Sequence, residues 1–250
     1  DFSLKFIKDL NSIICSLDAD TIIDKNYLDS IYNNFKKNKI SAAVVNFKHQ
    51  NSSNSIIEEG IRKYELILNE IAENIEKTGS PYGYVSMGST IVCNAKAYIA
   101  VGGMNTKKAT EDFYFLQSLA KYTKVHKIKN VLVFPSSRGE NRVYLGTGFR
   151  MDEYLKNKSF KNLSFTQDSY TEIKKILDII NLHWNDNSDL IFKKLTCDLN
   201  KKSMNFLLNK NIYNVLEKFK LNAKSKRQFI LFFNQWFDAL TIMKFLKDQN

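Results

Sequence analysis

An α/β fold, with a sheet covered by helices and followed by a C-terminal α-helical subdomain, is what the sequence predicts. Three observations lead there. Short apolar runs of strand length alternate with longer stretches of helical periodicity through the first part of the chain. All 9 glycines and both prolines lie before Phe149, and such a loss of turn-forming residues marks a boundary. Beyond it the chain reads almost entirely as helix. Residues 1–150 are therefore expected to form the sheet domain and residues 151–250 the helical subdomain, and no internal repeat interrupts either.

Each element follows from its residues. Ser12 to Leu17 is a buried apolar strand, and Lys25 to Lys37 a helix with Asp24 placed as its N-cap. Ser41 to Phe47 is a second apolar strand. From Ile56 to Lys77, a helix sets Ile57, Ile61, Tyr64, Leu68, Ile71 and Ile75 along one stripe, with its acids and lysines facing outward. Tyr84 to Cys93 reads as extended, and Asn94 caps a short helix through Ala100. Gly102-Gly103 turns the chain into a further helix from Thr110 to Lys121, and Val125 to Ile128 and Val131 to Phe134 add two short strands. Three tail helices are expected at Tyr170 to Trp184, Ser203 to Phe219 and Lys226 to Lys247. The last is apolar over most of its circumference, which suits a core helix better than one lying on a membrane surface.

Composition narrows the classes. The 250-residue chain is 44% hydrophobic and 25% charged, enough for one sizeable core. No uninterrupted apolar stretch approaches the roughly 18 to 20 residues that cross a bilayer. The opening DFSLKFIKDLN carries acids and does not read as a signal peptide. Cys15, Cys93 and Cys197 are odd in number and widely spaced, as expected of reduced thiols, so the cytoplasm is the expected compartment. A formal charge of +11, spread over both parts, suits anionic partners, but no nucleic-acid module accompanies it and no nucleic acid is expected. His49, His126 and His183 lack mutual ligand spacing.

Three stretches carry chemistry. In "SIICSLDAD", Asp18 and Asp20 sit just past the carboxyl end of a strand, where open α/β sheets bind ligands. Two carboxylates in an Asp-x-Asp spacing offer hard oxygens to Mg²⁺ or Mn²⁺; the alternative is that they satisfy turn amides. In "ATEDFYFLQSLAKY", Glu111 and Asp112 fall in the first turn of a helix, where a carboxylate is stabilised by about 0.3–1 kcal/mol and where it can also act as a base. In "PSSRGENRVYLGTGFRM", Arg138, Arg142 and Arg150 surround Gly146-Thr147-Gly148. Glycine amides and arginine forks match a diphosphate, while the alternative is a flexible turn with surface arginines.

Together with "GYVSMGSTIVCNAKAYIAVGGMN", these stretches resemble the family 2 glycosyltransferases of the GT-A type. There a strand ending in Asp-x-Asp and its helix are followed by a Gly-Ser stretch, a Gly-Gly-Phe-like turn and a Glu-Asp helix start. Here these are Asp18-Ala19-Asp20, Gly88-Ser89, Gly102-Gly103-Met104 and Thr110-Glu111-Asp112, and the likeness spans Asn11 to Met151. The resemblance implies a GT-A sheet of Rossmann-like nucleotide-diphospho-sugar transferase type. It implies Asp20, with Asp18, as ligands of Mn²⁺ or Mg²⁺ on the diphosphate of a nucleotide-sugar donor, first of all a UDP-sugar. Asp112 is then the general base of an inverting transfer, with Glu111 beside it, and Arg138, Arg142 and Gly146 to Gly148 hold phosphate. The acceptor is a glycan or lipid-linked sugar, the process polysaccharide synthesis for a bacterial-type surface glycan, and the place the cytoplasm, with peripheral contact at the inner face of the membrane. The Gly-Thr-Gly run departs from the Gln-x-x-Arg-Trp of processive synthases, which points away from a processive enzyme. Members also carry, ahead of Asp-x-Asp, a strand with a Pro-x-Tyr-Asn-like turn and a strand–helix pair that reads the base. This chain has only a helix end and one strand there, so a fragment or an incomplete nucleotide pocket, with exposed apolar sheet surface, is expected. The alternatives in other classes are a non-catalytic remnant or scaffold, and a nucleotidyltransferase.

Overall fold

Five short strands form one mixed sheet in the order β1-β4-β3-β5-β2 in the computed structural model, which describes residues 2–105, 110–137, 146–161 and 163–249. The strands are β1 (Ile13–Cys15), β2 (Ile22–Ile23), β3 (Ala42–Phe47), β4 (Ile91–Asn94) and β5 (Val125–Phe134). β4 runs antiparallel to both neighbours, β1 and β3, and β3 is parallel to β5. β1, β3 and β5 thus point the same way and end on one edge of the sheet.

The period-2 pattern sends alternate residues of these strands to opposite faces. Ala43, Val45 and Val92 pack with Tyr27, Ile31 and Phe35 of helix α1 (Tyr27–Asn38). Ala42, Val44, Ile91 and Cys93 pack with Ala97 and Tyr98 of α3 (Ala95–Ala100) and with Phe115, Leu116 and Leu119 of α4 (Glu111–Tyr122). Cys15 packs against the first face and Cys93 lies in the second; both are free thiols, and burial pushes Cys93 up to about 12. Asn94 caps α3 as its position predicts, its side chain accepting from the Ala97 amide at 2.8 Å. Gly102 and Gly103 take φ of 80° and 74°, the left-handed turn that glycine allows.

Several local expectations are corrected. Asp24 is not the α1 N-cap: it accepts from the Asn26 amide at 2.8 Å in a turn, its own amide is held by the Leu132 carbonyl, and Asn26 stands at the cap. Tyr84 to Met87 stay outside the sheet, a 3₁₀ turn at Gly88–Thr90 precedes β4, and the two strands expected near residue 130 are one, with its irregularity opposite Val45 to Phe47. The acids of α2 (Ser55–Lys77) do not all face outward. Glu65 turns in to accept from the amide and Nδ1 of buried His49, and Arg62 spans Glu58, Glu65 and the His49 carbonyl. A buried peptide N–H requires an acceptor, and the helix supplies it. Burial alone would raise the Glu65 carboxyl, yet the hydrogen bonds from His49 and Arg62 leave it below its ordinary range.

The chain divides into two units, one of residues 1–70 and 84–163, the other of residues 71–83 and 164–250. In the second, α6 (Gln167–Leu182), α7 (Ser188–Asp198), α8 (Lys201–Asn209), α9 (Ile212–Asn222), α10 (Lys226–Trp236) and α11 (Ala239–Gln249) surround a core rich in phenylalanine. Phe229, Phe233, Phe237 and Phe245 are each exposed by 1% or less. Thr166, Asn187, Asn200 and Ser225 cap α6, α7, α8 and α10 through their side chains. The helix expected over Ser203 to Phe219 breaks at Asn211, which takes φ 55°, and the long final helix divides into α10 and α11, bent by 60°. No single helix among the described residues is long and apolar enough to cross a membrane.

In the first unit α5 (Thr147–Asn157) lies on α2 through Tyr154, which stacks on Phe160 and accepts from Lys63 at 2.9 Å. A Cβ added at Gly60 would stand 2.5 Å from Tyr154 Cδ1. Gly60→Ala gains about 1 kcal/mol of helix propensity but should cost about 1–3 kcal/mol of overpacking. A lower melting temperature is therefore expected in calorimetry; an unchanged or higher one would show that the α2–α5 contact yields without strain.

Candidate functional site

Register brings the first of the site residues together. In the β1–β4 ladder Ile13 faces Asn94 and Cys15 faces Val92, and one step on the Ser16 amide donates to the Ile91 carbonyl. Continuing past the ends of both strands, Asp18 meets Ser89. The Ser89 hydroxyl donates to Asp18 Oδ2 at 2.5 Å and accepts from the Asp18 amide at 3.3 Å, while Thr21 Oγ1 lies 2.8 Å from the same hydroxyl. Gly88 lies against the same carboxylate: a Cβ there would stand in ordinary contact with Asp18 Oδ1 at 3.5 Å. Asp18 Oδ1 makes no hydrogen bond among the described residues.

Gln50 is a residue that sequence reasoning missed. It follows β3, and its amide group donates to the carbonyls of Asp20 at 2.9 Å and Phe134 at 2.8 Å, while its own backbone N–H donates to Pro135. One side chain thus ties together the segments that leave β1, β3 and β5. Arg62 and Glu65 hold the preceding residue, His49, so the tie rests on α2. Asp20 itself is half-buried and fixed through its carbonyl by this bond.

Asp112 comes to the same edge from α4. Thr110, which precedes the helix, sits at φ 64°, a left-handed conformation that costs a β-branched residue about 1–3 kcal/mol. Asp112 Oδ1 accepts from the Phe113 amide at 2.7 Å. Its carboxyl is nonetheless held above the ordinary range, first by desolvation, then by the negative charges of Glu111 and Asp18. The Asp18 charge thus reaches Asp112 across the chain. Tyr64 of α2 is affected in turn: burial pushes its phenol up, the Arg150 charge opposes that shift and the Asp112 charge adds to it. The stripe pattern marked Tyr64 as core, which it also is, packed with Ile61 and Met151.

Gly146 takes the N-cap position of α5, with Thr147 and Gly148 in its first turn, so the run expected to be a loop begins a helix whose leading amides have no intrahelical acceptor. Arg150 on that helix is tied to Glu153 at 2.8 Å and to the Lys161 carbonyl. Arg138 and Arg142 lie outside the described residues. The candidate site is therefore the end of the sheet that carries Asp18 and Asp20; the Asp18 charge acts on Asp112 beside Glu111, and the Asp112 and Arg150 charges act on Tyr64. Among the described residues no group of three or more His, Cys, Asp or Glu side chains is placed to hold a metal ion by itself. The chemistry of the donors, hard carboxylate oxygens with Asp18 Oδ1 open, fits a divalent cation that takes its remaining ligands from phosphate and water. No protein-family model, curated protein or solved structure matches the chain.

Two outcomes are expected. Because Asp112 is more easily protonated folded than unfolded, its ionised form works against the fold at neutral pH. Asp112→Asn should raise the melting temperature at pH 7, with the gain fading as pH falls through the raised value and vanishing below the ordinary carboxylate range. A gain of the same size at every pH would contradict this. Gln50→Leu leaves two carbonyls without their donor and should lower stability by about 1–3 kcal/mol in chemical denaturation.

Proposed function

We propose that the chain is a metal-dependent inverting glycosyltransferase of the family 2, GT-A type, moving a sugar from a nucleotide-sugar donor, a UDP-sugar first among them, to a hydroxyl of a glycan or lipid-linked acceptor. The observation that carries the reading is the Asp18 carboxylate, fixed by Ser89 beyond the carboxyl end of β1, with its charge reaching Asp112 at the start of α4. Open α/β sheets bind ligands beyond that end. Turn and helix-start positions suit each acid singly, and a divalent cation carrying a phosphorylated substrate would offset the repulsion between them.

Asp18 and Asp20 would hold Mn²⁺ or Mg²⁺, which supplies charge neutralisation for a departing nucleoside diphosphate. Ser89 fixes the Asp18 carboxylate, leaving Oδ1 for that purpose. Asp112 takes the proton from the acceptor hydroxyl as its oxygen bonds to the anomeric carbon and the bond to the diphosphate breaks on the opposite face. A carboxylate whose proton affinity is raised is the better base near neutral pH. Glu111 adjoins it and orients acceptor or base. The free amides that begin α5 at Gly146 to Gly148 suit phosphate oxygens, and Arg138 and Arg142 belong to the same expectation. A cytoplasmic enzyme at the inner face of the membrane is the corresponding setting.

The test is donor hydrolysis and transfer with Mn²⁺. Asp112→Asn should lower kcat by about 10²–10⁴ with KM for donor little changed, and Asp20→Ala should weaken donor binding as well. Equal residual rates in both variants and the parent would select a non-catalytic scaffold, and release of pyrophosphate in place of nucleoside diphosphate would select a nucleotidyltransferase.

A further inference from the structure

The helical unit carries a surface feature that the catalytic reading does not use. α9 and α10 meet in a tight hairpin, and Leu221 at its tip is 85% exposed, more than any other large hydrophobic residue among the described residues. The hairpin is stiff. Phe219 packs its ring on Phe229 and Phe232, and Lys220 is drawn back to the Trp184 carbonyl at 2.8 Å. Ser225 accepts from the Gln228 amide, and the Gln228 side chain accepts from the Lys224 amide. A leucine on a rigid tip cannot fold away from water, and nothing in its own unit covers it.

Charge says what covers it. Lys218, Lys224, Lys226 and Arg227 are all exposed around the tip, and none forms an ion pair among the described residues. Glu217 is the sole acid between residues 217 and 228. Leu231 lies one turn beyond Arg227 on α10 and is 42% exposed, extending the apolar patch along that side. Cations ringing a protruding leucine match a surface with negative charge outside and hydrocarbon just beneath. Nucleic acid would use the cations but offers a bare leucine no partner, and a convex tip follows no groove.

We propose that the α9–α10 tip docks the protein on an anionic lipid surface, with Leu221 entering the headgroup layer and Lys218, Lys224, Lys226 and Arg227 pairing with lipid phosphates. The apolar faces of α10 and α11 stay in the core, where Phe229, Phe233 and Phe245 are buried. This docking does not depend on the glycosyltransferase reading, and its test needs no activity.

The full chain is mixed with vesicles of equal parts phosphatidylcholine and phosphatidylglycerol, or of phosphatidylcholine alone, and the bound fraction is read by flotation. Binding should favour the anionic vesicles and weaken with added salt. Each basic residue near such a surface is worth about fivefold in affinity, so K224E/K226E/R227E should weaken binding by about a hundredfold or more. Leu221→Ser leaves the charge unchanged and should weaken it by about tenfold. Melting curves of both variants should match the parent, since every altered side chain is exposed. Equal binding to neutral vesicles, indifference to Leu221→Ser, or displacement from vesicles by an RNA or DNA oligonucleotide would each overturn the proposal, and the comparison of parent protein on the two vesicle types does so without any variant.

Discussion

The direction of β4 governs the first unit. Because β4 runs antiparallel between β1 and β3, those two strands are parallel to each other and, through β3, to β5, and all three deliver their carboxyl ends to one edge. The same reversal sets the residues before β4 beside the residues after β1. That is why Ser89 reaches Asp18 although the two belong to different halves of the motif pattern. Had β4 been parallel, its leading residues would lie at the other end of β1 and the Asp18 carboxylate would lack its donor. The site is thus a product of strand polarity before it is a product of side-chain chemistry.

Holding that edge together requires polar work inside the protein. Carbonyls leaving β1 and β5 need donors, and Gln50 meets both needs at once. Gln50 is itself placed by the His49 segment, whose backbone and ring are bound to Glu65, with Arg62 closing the set. The long amphipathic helix α2 therefore has two functions: its apolar stripe supports Met151 and α5, and its acids anchor the loop that follows β3. Against this scaffold the repulsion between Asp18 and Asp112 is tolerated, and proton affinity at Asp112 rises in consequence of desolvation first and of like charge second. A cation between such groups would relieve the repulsion.

The helical unit obeys different rules. Short helices, most with a side-chain cap, pack aromatic side chains inward, and the abundant asparagines serve as caps at Asn187 and Asn200 and as a left-handed break at Asn211. This also explains why periodicity alone joined α8 to α9 and α10 to α11. Apolar spacing continues across each break, and the interruption depends on backbone geometry at Asn211 and around Phe237. Between α9 and α10 the capping contacts produce a stiff, cationic tip instead of a buried turn.

Much was legible from residues alone. Apolar alternation and helical stripes located β1, β3, α2, α3, α4 and α6 to within a few residues, the Asn94 cap and the Gly102-Gly103 turn were readable from residue type, and the acids of the site stood out by their position at element ends. Asp-x-Asp, Gly-Ser and Glu-Asp, however, were separate clues in the chain, and Gln50 and Tyr64 carried no mark that distinguished a site residue from a turn or core residue. The sequence by itself determined the α/β class, the helical tail and the chemical character of the candidate groups, because those depend on local periodicity and side-chain type. Tertiary structure alone decided that Ser89 fixes Asp18 and that the Asp18 charge reaches Asp112, that Gln50 binds three strand ends, and that Leu221 stands outside, because strand polarity, register and helix breaks arise from contacts between segments far apart in the chain.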